Sequence, residues 1–462
     1  TLVLSTGSVD AARTFQAFSD GDLVIGTTDG VVIHSARKDP GAEPADPIDP
    51  GSVFLFADND GDGTGALRDA AGAATGRIDM RGDAAEPGEL DLLAASGIGT
   101  ASDPITVSGG ARVAALVVPL EPDPDPENEG EFILDSDASA DIHLRNQDSG
   151  DLEIVSGSQA VGIQVAAGTG EIEISNLAGG ITVASALRSK PLDNEDGTPN
   201  GTGGDVTLRA DSDSQIALDV SRFSDALAIG SGGAMTFDGD VVLARATEIE
   251  ADGGIAIQSS LDTSDTATGP TAFTATVEGG SASQVDGSIG ANRALRSFTL
   301  SSPDAAPSTL ELGGALVRTT ESQSYGADLA LTQSIAFEAG TQILFNGTAN
   351  QSVTASAGGF TLDAGGSPAA IPAEATIAKA NGDLTLASTG GPVVIGDGDK
   401  LSVAGSLSLS GDSVRLTDLS ALDISVTSPD VQVFARTPGP VATASGETIL
   451  DGGTDLVANT VA

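Results

Sequence analysis

The chain has no cysteine and no tryptophan, one tyrosine (Tyr325), two methionines and two histidines in 462 residues. Without cysteine there are no disulfide staples and no thiolate metal sites, and nothing from which a redox compartment could be read. Aromatic residues amount to 3% although hydrophobic ones reach 39%, so a core must be thin and built mostly from Val, Ile, Leu and Ala. Positive charge is scarce too: 20 Lys and Arg stand against 66 Asp and Glu, a formal net charge of −46. Such a field repels nucleic acid and anionic membrane surfaces, and no nucleic-acid partner is expected. It attracts divalent cations and keeps β-rich chains from clumping sideways. No run of eighteen apolar residues occurs, so no transmembrane helix is expected. The opening Thr1-Leu2-Val3 has neither the charged nor the apolar region of a leader, and a secretion signal is expected to be removed or to lie outside these residues.

What is present is short alternation of period two, apolar then polar, with Gly, Asp, Ser or Asn between the runs. Leu152/Ile154, Ile163/Val165, Ile172/Ile174, Ile181/Val183, Val206/Leu208 and Ile216/Leu218 form one series. Leu384/Leu386, Val393/Ile395, Leu401/Val403, Leu407/Leu409, Val414/Leu416, Leu422/Ile424 and Val431/Val433 form another, stepping by 6 to 9 residues. Each pair predicts a short strand with one buried face. Strands so short and evenly spaced suit sandwiches or a solenoid with about three strands per turn of roughly 20 to 30 residues. Sandwiches centre on large aromatics and show domain boundaries, whereas the 13 Phe are scattered and no linker resets the pattern. The expectation is all-β, a right-handed parallel β-helix running as one continuous solenoid over residues 1–462.

Three acidic or Pro-rich stretches interrupt the cadence: residues 37–51, 121–130 and 190–204. Proline lacks the amide proton a sheet ladder needs, so these are expected as loops thrown outward. Residues 438–462 keep a weaker alternation, expected as a terminal coil, a cap or a strand offered to a partner.

Ser96-Gly97-Ile98-Gly99-Thr100, followed by Pro104-Ile105-Thr106-Val107, forms a "GIGT, polar residues, Pro, aliphatic" segment. Asp141-Ile142-His143-Leu144 and Gly150-Asp151-Leu152-Glu153-Ile154 follow it. Further on come Leu312-Gly313-Gly314, then Gln323-Ser324-Tyr325, then Phe345-Asn346-Gly347-Thr348, with Ala349 where the pattern has Val. This ordered set resembles the filamentous haemagglutinin-like exoproteins of Gram-negative bacteria, including the repeat-bearing adhesins of two-partner secretion. The resemblance implies a right-handed parallel β-helix, export to the extracellular space or cell surface, and roles in adhesion, aggregation or biofilm matrix.

The strongest local motif is Asp58-Asn59-Asp60-Gly61-Asp62-Gly63-Thr64 with Asp69 at the twelfth position. It matches a calcium loop: oxygen ligands from Asp58, Asp60 and Asp62, the backbone carbonyl of Thr64, a glycine for the sharp turn, and a carboxylate from Asp69. Asp at the twelfth position reaches less far than the usual Glu, and the same residues read alternatively as a polar turn between strands. Asp193–Gly197 lacks the spacing. Arg81-Gly82-Asp83 is the tripeptide read by integrins, or a chance turn. His34 and His143 each sit in an alternating segment and are expected to face outward. No GxSxG motif accompanies them, so no catalytic residue is assigned. The function expected is an extracellular structural and adhesive rod that partners with itself, since open solenoid ends invite end-to-end stacking. One alternative is a module binding cell-surface or matrix ligands through its loops. A lesser one is a polysaccharide-acting β-helix enzyme using paired carboxylates.

Overall fold

A computed structural model describes the chain from Leu2 to Asp451, apart from residues 5–6, 11–13, 27–30, 35–51, 70–76, 81–87, 110, 123–131, 148, 158–159, 192–200, 221–228, 279–280, 304–307, 348–349, 365–376, 397–398, 417, 422–423, 429–430, 434–441 and 445–447. The described residues are all-β, with no helix among them, and nearly every strand pairs in parallel with one two or three elements later. The strands are short because the alternation is short: two or three inward aliphatics, then a Gly- or Asp-containing turn. The chain divides into two compact units, Thr1–Asp240 and Val241–Ala462.

In the first unit one ladder runs through Gly7–Asp10, Val31–His34, Arg77–Asp79, Ile105–Ser108, Ile142–Asn146, Ile172–Asn176, Val206–Arg209 and Met235–Asp238. Successive partners such as Ile142, Ile172, Val206 and Met235 lie 30, 34 and 29 residues apart and are all buried. A second ladder passes through Thr14–Ser19, Ser52–Ala57, Glu89–Ala94 and Ala111–Val117. There it divides: Ala111 to Val113 pair with Leu152–Ile154, and Ala115 to Val117 with Ile163–Val165. Each half then continues through its own strands. Leu2–Leu4, Leu23–Ile25 and Leu67–Asp69 form a third ladder, which Ile98 bridges onward to Ile142.

The second unit has the same plan, with one ladder from Ile255–Ile257 to Thr448–Asp451, another from Thr247–Ala251 to Ala442–Ala444, and a third from Leu316–Thr319 to Val431–Val433. Its partner offsets fall to 17 residues, between Leu407 and Ile424. Inside it Phe273 stacks on Phe298 with ring centroids 5.7 Å apart. Tyr325 lies 5.9 Å from both Phe298 and Phe337 and 6.1 Å from Phe345. Phe273, Phe298, Phe337 and Phe345, far apart in the sequence, are thus gathered in space with Tyr325.

The first apolar series falls on buried, paired positions throughout. Of the second series, Ile424 is buried in the strand Ile424–Thr427 together with Val426, and Leu422 is outside the described residues. Residues 37–51, Arg81-Gly82-Asp83 and Asp193–Gly197 also lie outside them. Of the stretch 121–130, Glu121 and Pro122 belong to a strand, Leu120–Pro122, paired antiparallel with Phe132–Leu134. The stretch 190–204 ends against the first unit, with Ser189 Oγ donating to the Gly204 carbonyl at 2.5 Å and Gly203 N to the Gly168 carbonyl at 2.9 Å. Within 438–462, Ala442–Ala444 and Thr448–Asp451 continue two parallel ladders.

Candidate functional site

The acidic loop predicted from the sequence is a tight turn between Ser52–Ala57 and Leu67–Asp69. Asp58 adopts φ +72°, a left-handed conformation that Asp tolerates better than most residues. Its carboxylate accepts the Asp62 amide at 2.9 Å and the Gly63 amide at 3.2 Å. Asp62 in turn accepts from the Thr64 amide at 2.9 Å and the Thr64 hydroxyl at 2.5 Å. Gly63, at φ +78°, packs so close to the Leu120 carbonyl that a Cβ would collide with it.

Carboxylate oxygens of Asp58, Asp60 and Asp62 lie within 4.8 Å of one another. Asp69 is not in that group; it sits in a strand opposite Ile25. Burial pushes the Asp58 carboxyl up despite two amide bonds, with the Asp62 charge adding to the rise. The bonds from Thr64 hold Asp62 below the usual carboxylate range. The turn therefore gathers three carboxylates, one buried and two exposed, at the first, third and fifth positions of the loop.

A second cluster was not legible as a site from sequence motifs. By strand parity His143 faces outward, since Ile142 and Leu144 point in, yet it is 2% exposed. Its amide donates to the Ile98 carbonyl at 2.7 Å, and the Gly99–Pro104 segment runs along its strand. His143 thus lies on the outward parity expected of it and is nonetheless covered. The Nδ1 atom lies 3.3 Å from Glu173, and the Nε2 atom lies 3.5 Å from Glu171 Oε1 and 4.0 Å from Asp141 Oδ2.

Asp141 is positioned by accepting the Glu171 amide at 3.0 Å, and Glu173 by Arg209, 3.7 Å away, which also binds Asp238 at 2.8 Å. Burial lowers the affinity of the imidazole for a proton, but the carboxylates of Asp141, Glu171 and Glu173 outweigh it and hold its pKa above the ordinary value. His143 correspondingly draws Asp141 down, while burial and the neighbouring Asp141 push Glu171 up. The signal available in the sequence was an alignment of rungs: Asp141-Ile-His143 and Glu171-Ile-Glu173 occupy the same register 30 residues apart.

Of the segments that carried the family resemblance, Gln323-Ser324-Tyr325 and Phe345-Asn346-Gly347 lie in the second unit. Gln323 donates to the Val317 and Glu338 carbonyls at 3.0 and 2.9 Å and accepts the Tyr325 hydroxyl at 3.0 Å. Gln351 donates to the Tyr325 and Ala327 carbonyls, both at 3.0 Å, and accepts the Gly347 amide at 2.9 Å. These buried amides are themselves satisfied by backbone groups of neighbouring strands and turns, so the segments serve the packing of the ladder. No family model, curated protein or solved structure matches the chain.

Proposed function

We propose that the chain is a right-handed parallel β-helix of the filamentous haemagglutinin-like kind, an extracellular rod that builds and attaches a bacterial surface or matrix fibre. The observation that carries this reading is the stacking itself. Inward aliphatics repeat in register from strand to strand, while outward positions hold Asp and Glu with single arginines set between them. Such a molecule spends its sequence on length and surface charge. Strands at either end of a stack offer unpaired backbone groups, which favours association with a second copy.

Negative-stain electron microscopy across calcium and salt conditions tests it, with end-to-end filaments expected; single dispersed particles in every condition would overturn self-assembly. The Asp58 loop is assigned calcium, with Asp58, Asp60 and Asp62 as carboxylate ligands and the Thr64 carbonyl completing the near side. A ligand that binds only the folded form raises its stability by mass action. Millimolar calcium is therefore expected to raise the melting temperature, EDTA to reverse the rise, and Asp58→Asn to abolish it. A second reading, attachment through a projection, is favoured by the antiparallel pair Leu120–Pro122 and Phe132–Leu134 at the base of the acidic Pro-rich stretch. Replacing residues 123–131 by a short Gly-Ser link would remove surface attachment and leave filaments intact.

A further inference from the structure

We propose that Asp141, His143 and Glu171 form a binding site for a zinc-class divalent cation that clips two successive strands of the first unit together. The ligand atoms are Nε2 of His143, Oδ2 of Asp141 and Oε1 of Glu171, all within 4.8 Å of one another. Around a tetrahedral ion with bonds of about 2.0 to 2.2 Å, neighbouring ligand atoms stand about 3.4 Å apart. The 3.5 and 4.0 Å separations from Nε2 need only a small rotation of each carboxylate to meet that geometry.

The independent observation is the state of the imidazole. A histidine side chain 3% exposed is held from behind by Glu173 at Nδ1, which places the remaining ring nitrogen toward the two carboxylates. A carboxylate behind a histidine is the arrangement that fixes the tautomer and orientation of a metal-bound imidazole. Arg209 and Asp238 extend that support by anchoring Glu173. Asp205, immediately before the following strand Val206–Arg209, adds negative charge beside Glu171. The ligands come from two paired strands, so an ion held there ties residues 30 apart in the chain. Asp141 and Glu171 are partly open to solvent, at 36% and 46% side-chain exposure, which gives the ion a path in and leaves a fourth position for water.

The cluster differs from the Asp58 loop, which offers only oxygen and suits calcium. It also differs from the grouping of Glu250, Asp252 and Glu278 in the second unit, an all-carboxylate set on the surface.

The test is titration of the full chain with cobalt as a spectroscopic stand-in and with zinc by calorimetry, in millimolar magnesium to occupy the acidic surface. One saturable equivalent is expected. His143→Gln should weaken it more than tenfold, and Glu173→Gln by about tenfold, the usual scale for such support. Asp58→Asn should leave it unchanged. Where His143→Gln fails to fold, imidazole 15N spectra of the His34→Gln protein, whose remaining imidazole is His143, give the same answer: zinc shifts its Nε2 resonance. Absence of saturable binding, equal affinity in a folded His143→Gln protein, or His143 resonances unmoved at saturating zinc would overturn the site. The cluster would then be a histidinium held among carboxylates.

Discussion

At Lys379 an amine occupies a position where strand parity calls for an aliphatic side chain. It pairs with Phe345 on one side and Val403 on the other and is 1% exposed. Its Nζ donates to the Gly347 carbonyl at 2.7 Å. Burial lowers its pKa, opposed by the charge of Asp328. In the interval between the lowered folded value and the ordinary lysine value, the unfolded chain binds more protons than the folded one, so this group makes stability rise with pH there. Lys379→Met is expected to lose that slope. Urea midpoints of both proteins from neutral to pH 10.5 would show their difference shift steadily in favour of wild type; a constant difference refutes the assignment.

Gly99, at φ +68°, has the His143 carbonyl 2.6 Å from where a Cβ would stand and the Ile105 amide at 2.9 Å. Gly99→Ala combines a left-handed strain with a backbone collision, and a loss of at least about 1 to 3 kcal/mol is expected in denaturant melts. The "GIGT" segment was readable in the sequence, but the reason for its second glycine was not. That reason is a carbonyl from a strand more than forty residues later in the chain.

At the scale of elements, period-two alternation carried most of the information. Leu152, Ile163, Ile172, Ile181, Val206 and Ile216 were placed correctly because an inward aliphatic every second residue has one physical interpretation. Alternation alone does not select a pairing where Leu422, Ile424 and Val426 share one parity; Ile424 and Val426 pair with Leu407 and Leu409. The aromatic column was hidden for a related reason. Phe273, Phe298, Tyr325 and Phe345 are spaced by one circuit of the chain, which a reading strand by strand does not compare.

Tyr325 is fully buried in that column and bonded to Gln323. Tyr325→Phe keeps the stacking and leaves Gln323 Oε1 short of a donor, a cost of about 1 to 3 kcal/mol. Tyr325→Ala also opens a cavity, and by analogy with Phe and Trp truncations about 3 to 5 kcal/mol is expected. Chemical denaturation of the two variants should rank them in that order. Surface ion pairs such as Arg112 between Glu89 and Glu153 contribute little each, about 0 to 1 kcal/mol. Arg112→Gln is expected within that range.

On the scale of the whole molecule the dominant fact is the net charge of −46. Repulsion of that size destabilises a compact chain and is relieved by screening. Raising sodium chloride from 10 mM to 0.5 M is expected to raise the melting temperature, and divalent salt to do so at lower concentration than its ionic strength requires. A melting temperature that falls or stays level with salt would show that local ion pairs outweigh the general repulsion. Composition conveyed this much without any structure, because net charge does not depend on the fold. It could not convey where charge is concentrated: the His143 cluster exists only because two paired strands place Asp141 against Glu171 and His143 against Glu173.

The strand Ala111–Val117 is followed on its outer edge by two shorter strands. Between them an antiparallel bridge joins Ser156 to Val161, and Gly157 packs against Asp91 and Ala114. The inward residues on both sides keep their partners, so extra chain has been accommodated between the two strands without disturbing their pairing. Width in such a scaffold is a local property, adjustable one circuit at a time. The Ser156–Val161 bridge accordingly marks a graft point, where a foreign peptide could be displayed while the paired strands on either side remain in step.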